Sequence, residues 1–281
     1  MRLRNLRLRN LRRRAVLYTL LLLTVVYSFF PVYWMLVSSL RDPRTLYASQ
    51  SLLPGPFSLE NYSTLLELTD YPTWFWNSLV VALATVVITI VLSVLIAYAV
   101  TRLRFRGKTL VIGTMLYAYM FPPLLLAIPL AALFVTLGLS DTLLSLVVAH
   151  CTITLPLGVW LLWGFFKQIP HDVEEAAMVD GCSRLRAFVS VVLPLTLPGI
   201  VTVAIFSFLL SWTDYTFGLI MISSDENKTL PVGLDTMVGS YELRWGELMA
   251  GSTLIALPLF VMFIFLSRYF IRGLAAGAVK G

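Results

Sequence analysis

Charge is scarce in this chain. Only 13% of its 281 residues are Asp, Glu, Lys or Arg, 58% are hydrophobic, and the mean hydropathy is +0.85. A soluble domain of this length would not carry so little charge, so the composition points to a polytopic membrane protein. Cysteine and histidine are scarcer still, with two of each. Cys151 lies in an apolar run and Cys182 in an amphipathic stretch, which argues against a disulfide framework, and no Cys/His cluster has metal-ligand spacing. There is no GxxxxGK[ST] phosphate loop, so the chain carries no ATPase of its own. HExxH, GxSxG and paired carboxylates are also missing, which argues against an intramembrane enzyme.

What is present is a series of long apolar runs. Residues 1–14 hold seven arginines and read as a basic segment before a first membrane helix, 15–40. That run is too long for the core of a signal peptide and no A-x-A site follows it, so it is expected to be retained. The arginines read as a juxtamembrane anchor; a nucleic-acid arm is the lesser alternative. Residues 41–72 form a turn-rich loop. A five-helix core, 73–270, follows. It opens on the interfacial aromatics Trp74, Phe75 and Trp76. Its run 109–137 contains Pro122, Pro123 and Pro129, which predict a kink. Its run 142–166 carries His150 and Pro156. The tail, 271–281, ends the chain.

Six spans put both termini on one side. Seventeen of the 21 Lys and Arg fall in the N-terminus, the 102–108 loop, the 167–194 loop and the C-terminal end. The positive-inside rule makes that side cytoplasmic.

The chain is organised around the loop 167–198. Asp172, Glu174 and Glu175 place negative charge at the positive end of a helix dipole, with Pro170 at its first position. Val173, Ala176, Ala177 and Asp180 fall on one face. Gly181 is a natural C-terminal stop. Ser183 can cap a second helix with an apolar face of Leu185, Phe188, Val189 and Val192, and Pro194 and Pro198 then break the pattern. Ala176, Ala177 and Gly181 present so little side chain that another surface can approach the backbone. A loop that only connects two helices fits the periodicity equally well.

Glu175-Ala176-Ala177, Asp180-Gly181, Phe188 and Leu193-Pro194 resemble the EAA loop of permease subunits of binding-protein-dependent ABC importers. Ile128-Pro129-Leu130, Leu137-Gly138-Leu139, Asp141-Thr142, Phe166, Ile169-Pro170 and Thr229-Leu230-Pro231-Val232 extend the resemblance to nearly the whole chain. So do Gly273 and Gly277-Ala278-Val279-Lys280-Gly281. Together they are similar to the carbohydrate-uptake branch, in its smaller, six-span form known from maltose uptake. Trp212-Thr213-Asp214 departs from the Trp-Asn-Asp or Trp-Asn-Glu usual there.

The resemblance implies an all-α, six-helix type I importer permease in a bacterial or archaeal cytoplasmic membrane. It implies a second permease subunit as heterodimer partner, two ATPase subunits and an external binding protein or lipoprotein, with no nucleic acid. No cofactor is bound by the chain itself; ATP and Mg belong to the ATPases. Glu175, Ala176, Ala177, Asp180 and Gly181 are the implied ATPase-coupling residues, and Phe188, Leu193 and Pro194 support the second helix. The tail residues Gly277, Lys280 and Gly281 are implied to reach the ATPases, their glycines favouring an extended course over a helix.

Asp214 is the only acidic residue deep in a span, about 24 Å by helix rise from Pro198. Asp214, with Trp212 and Thr213, is expected to line the substrate pathway or a gate, or else to hydrogen-bond between helices; Trp212 can stack on a sugar ring or pack. Two other readings stand beside the sugar importer: a permease of the glycerol-phosphate type, and an ion-coupled secondary transporter using Asp214 and His150.

Overall fold

The computed structural model describes residues 2–46, 55–238 and 244–278. Its elements are helices; an isolated bridge between Arg41 and Phe57 is the one β-type pairing among the described residues. Helix α1 is Arg2–Ser39. No break in the helix marks the expected boundary at residue 14: the basic segment continues straight into the apolar stretch, Arg13–Ser39. Arginine and leucine are good helix formers, and no Gly or Pro precedes Pro31.

Next come α2 (Glu60–Leu68), α3 (Tyr71–Arg102), α4 (Lys108–Met120), α5 (Pro123–Thr136), α6 (Leu143–Gln168) and α7 (His171–Val179). They are followed by α8 (Arg184–Leu195), α9 (Leu197–Trp212), α10 (Thr216–Met221), α11 (Leu230–Val238) and α12 (Trp245–Ala278). Among the described residues, four stretches are long and apolar enough to cross a membrane: Arg13–Ser39, Tyr71–Arg102, Leu143–Gln168 and Trp245–Phe265. The pairs α4–α5 and α8–α9 are bent by 100° and 70°, and each taken as one broken span brings the number to six. The first bend falls at Phe121-Pro122, both in extended backbone, where the Pro122-Pro123 pair denies the ladder two N–H donors. Pro129 lies inside α5.

The tail differs from expectation. Gly273 and Gly277 lie within α12, which runs to Ala278, whereas Lys280 and Gly281 lie outside the described residues. Glycine costs a helix about 1 kcal/mol per residue, yet Leu274, Ala275, Ala276 and Ala278 are strong formers. Extending an existing helix also needs no new nucleus.

The chain divides into two compact units. In the first, Met1–Thr69 with Met237–Ala256, Asn61 of α2 donates from Nδ2 to the carbonyls of Ser39 (3.0 Å) and Arg41 (2.7 Å). That satisfies carbonyls left open at the end of α1.

The second unit is Asp70–Thr236 with Leu257–Gly281. Its centre is α3 against α6 and α9. Small and hydroxyl side chains share the contact with apolar ones such as Val94, Leu162 and Val203 and let the helices approach closely. Thr89 and Thr154 share a 2.7 Å hydrogen bond, and a Cβ on Gly158 would stand 3.1 Å from Ser93, Thr89 and Val203. The start of α3 anchors the segment before α11. Asn77 Nδ2 donates to the carbonyls of Glu226 and Lys228, Ser78 Oγ accepts from Leu230 N, and Trp74 lies against Gly233.

Asp141, in left-handed backbone (φ 57°) between α5 and α6, ties down the loop after α10. One carboxylate oxygen accepts from Ser223 N (2.9 Å), Ser224 N (3.1 Å) and Ser224 Oγ (3.1 Å). Burial pushes the carboxyl pKa up, but these three donors together outweigh it and hold the group below its ordinary value. A depressed carboxylate stabilises the fold above its unfolded pKa of about 3.9, and that contribution is lost as pH falls through the folded value. Asp141→Asn should cost about 1 kcal/mol at neutral pH, less than the roughly 1.5–3 kcal/mol of hydrogen bonds to buried charges because the group is partly solvated. Thermal melts against pH should show the two proteins converging below about pH 4.

Candidate functional site

The loop 167–198 folds as two short helices meeting at a glycine. Pro170 stands just outside α7, in extended backbone, and Asp172 and Glu174 fall in the first turn. The far end is a Schellman closure: Gly181 N bonds to Met178 O (3.1 Å) and Cys182 N to Ala177 O (3.0 Å). Gly181 has φ +92°, a conformation that L side chains rarely adopt. Ser183 then caps α8 by accepting from Arg186 N (3.3 Å).

Within α8 the expected apolar face is corrected. Phe188 and Val192 are buried, in a cluster with Val94, Ala97, Leu162, Phe166 and Val203, but Leu185 and Val189 are exposed and Ala187 is buried instead. The cause is a π-turn over Phe188–Val192, closed by Leu193 N on Phe188 O. A wider turn brings residues four and five apart onto one face and rotates Val189 outward. Pro194 follows at once; it has no N–H for the carbonyl of Ser190, so the regular ladder cannot continue there. Leu193 is partly buried against the same cluster, and Pro194 is exposed.

Glu175, Ala176, Asp180 and Gly181 are exposed and Ala177 is half-buried, so these residues share an accessible surface. Val179, 86% exposed, lies beside them. Sequence reasoning missed Val179; an apolar residue one position before the Asp180-Gly181 stop carries no local sign that it faces outward.

It also missed Glu174. This carboxylate is 5% exposed. Its Oε1 accepts from the Tyr98 hydroxyl at 2.5 Å, and its Oε2 lies 3.3 Å from Arg102 Nε, an ion pair outside hydrogen-bond alignment. Arg102 also donates from Nη2 to the Ile169 carbonyl (2.8 Å). The Tyr98 ring packs on Phe188 (4.4 Å between centroids) and edge-on to Phe166 (6.1 Å). One network therefore joins the end of α3, the end of α6, α7 and α8. Beside it lies a pocket of about 780 Å³ lined by Arg102, Arg104, Lys108 and Arg184 together with Glu174 and Glu175.

At the α9–α10 break, Trp212, Thr213 and Asp214 part company. Trp212 is fully buried, stacked on Phe208 (5.3 Å) and edge-on to Phe75 (5.5 Å), so its faces are not open to a sugar ring here. Thr213 is exposed and its hydroxyl returns to Leu209 O. Asp214 Oδ2 caps α10, accepting from Phe217 N (3.1 Å) and Gly218 N (3.2 Å), and lies 3.2 Å from His150 Nε2. His150 Nδ1 meets Ser211 Oγ at 2.8 Å. Asp214 is thus hydrogen-bonded to the first turn of α10 and stands close to His150 of α6.

Residues 90–276 match the family described as binding-protein-dependent transport system inner membrane component. Over 264 residues the chain is 37% identical to the inner membrane ABC transporter permease protein YcjP of Escherichia coli, covering 93% of this chain and 94% of that one. It is 36% identical to the trehalose transport system permease protein SugB of Mycobacterium tuberculosis (96% and 99% covered). It is 34% identical to the trehalose/maltose transport system permease protein MalG of Thermococcus litoralis (92% and 94%). Its fold matches a chain of a bacterial ABC transporter involved in the import of the acidic polysaccharide alginate, with a TM-score of 0.81 at 19% identity over 92% of this chain and 97% of that one.

Proposed function

The chain belongs to the family of binding-protein-dependent transport system inner membrane components, and on that premise we propose that it forms half of the membrane pathway of a sugar importer driven by ATPase subunits docked on α7. The observation that carries the reading is the shape of α7. A helix of nine residues, closed by a glycine in a conformation side chains avoid, presents Glu175, Ala176 and Gly181 on one accessible surface. Such an element fits a cleft in a partner and moves as a unit.

Seventeen of the 21 basic residues lie on the side of this loop, which supports a cytoplasmic position for it and for both termini. ATP is available there, and ATP and Mg are held by the partner ATPases rather than by this chain. Glu175 offers an anion to a basic residue of the ATPase, a charge-assisted contact worth roughly 1.5–3 kcal/mol. Ala176 and Ala177 allow close approach, Asp180 and Gly181 fix the turn, and Phe188 with Leu193 holds α8 to the membrane core. A second, different permease completes the pathway, and an external binding protein delivers the substrate. Relatives named for trehalose and for trehalose/maltose support a small oligosaccharide as that substrate. Of the pathway or gate candidates Trp212, Thr213 and Asp214, the exposed Thr213 is the one this reading assigns to the pathway surface.

One observation favours another energy source. His150 and Asp214 form a close pair within the spans, the kind of couple an ion-driven carrier uses. Both are already engaged, Asp214 by two backbone amides and His150 by Ser211. Uptake of labelled trehalose by cells carrying the complete system separates the readings. The importer reading expects uptake to survive an uncoupler while ATP stays high and to stop when ATP is depleted. Loss on uncoupling with ATP intact contradicts it.

A further inference from the structure

Two adjacent glutamates on α7 have opposite surroundings. Glu175 is exposed and free to meet a partner, whereas Glu174 is buried inside the protein against Arg102 and Tyr98, both on the last turns of α3. We propose that Glu174 is the positioning residue that fastens the docking helix to the 32-residue membrane helix α3, so that displacement of α7 becomes displacement of α3.

Helix α7 is joined covalently to α6 through Ile169 and Pro170 and to α8 through Gly181, and both joints contain backbone outside helical geometry. The first joint meets α3 through its backbone, at the Ile169 carbonyl that accepts from Arg102; α7 itself meets α3 through the two carboxylate oxygens of Glu174, one on Tyr98 and one beside Arg102. Arg102 in turn holds the Ile169 carbonyl, and Tyr98 is wedged between Phe166 and Phe188, so the α3 end of the link is itself fixed from two directions. A charged pair this enclosed is costly to separate, because each partner would be left buried and unpaired. Separation is therefore the least favourable way for the assembly to accommodate movement of α7, and α3 follows instead. Its far end carries Trp76, which is exposed and distant along the helix from Arg102.

The inference rests on the reading of α7 as an ATPase dock. The test uses the complete complex purified with its ATPase, with Cys151→Ala and Cys182→Ser removing the two free thiols. Trp76→Cys then carries a spin label. In the parent, addition of ATP and vanadate should change the label's spectrum. Glu174→Gln, which leaves Arg102 without a counter-charge, and Tyr98→Phe, which keeps the ring packing and removes only the hydroxyl, should each reduce that change about fivefold or more while ATP hydrolysis stays within about twofold of the parent. A full response in both variants overturns the proposal. So does a response that falls only in step with ATP hydrolysis, since that is the mark of general damage. Should Glu174→Gln fail to accumulate, Tyr98→Phe alone decides. A parent complex with no ATPase, or with no response to ATP, speaks instead against the importer reading itself.

Discussion

Glu175→Lys should abolish transport while leaving the protein in the membrane at normal levels. The side chain is exposed, at the edge of a pocket lined by Arg104, Lys108 and Arg184, so the substitution buries no charge; Glu174, which does hold the fold together, is untouched. What changes is the surface offered to a partner. Loss of a charge-assisted contact of roughly 1.5–3 kcal/mol lowers docking by a factor of about 10–150, and reversal of the charge adds repulsion. Recovery of the ATPase with the tagged variant should fall with transport. Normal transport by a well-expressed Glu175→Lys protein would count heavily against α7 as the dock.

Gly233→Leu should have the opposite signature, a protein that does not accumulate. A Cβ at Gly233 would lie 2.1 Å from Trp74 Cδ2 and 2.3 Å from Cε3. Trp74 is itself 5% exposed, so the indole has nowhere to go. Overpacking of this kind costs typically about 1–3 kcal/mol, and the approach here is closer than any side chain tolerates. The clash would lever the start of α11 from α3 and strain the Asn77 and Ser78 hydrogen bonds to the same segment. Gly113→Leu, where a Cβ meets nothing within 4 Å, is the matched control and should accumulate normally. Membrane yield and thermal stability of the two proteins in one detergent measure the difference.

Much of the architecture can be read from local signals. Apolar length marks the spans, Gly181 marks the stop of α7, and Ser183 marks the cap of α8, since each depends only on its near neighbours. In the sequence, Glu174 is only an acid near a helix N-terminus and Arg102 only a topological charge. Their pairing joins residues 72 positions apart, and nothing in either neighbourhood encodes it. Val189 was misplaced because an α-helical period was applied across a π-turn. The aromatic character of Trp212 was legible, but its fit between Phe75 and Phe208 depends on how α3 and α9 pack. The C-terminal tail differs in a simpler way. Its glycines favour an extended course by composition, yet α12 continues through Gly273 and Gly277 because nothing nearby stops a helix once it has formed.

Gentle solubilisation of native membranes and identification of what accompanies the tagged chain decide whether this chain works as one membrane subunit of an ATP-driven importer. A second, different permease and an ATPase bearing a phosphate-binding loop should be recovered, with a sugar-binding protein also present. Recovery of the chain alone, or only with copies of itself, under conditions that keep a control importer intact, would contradict that role.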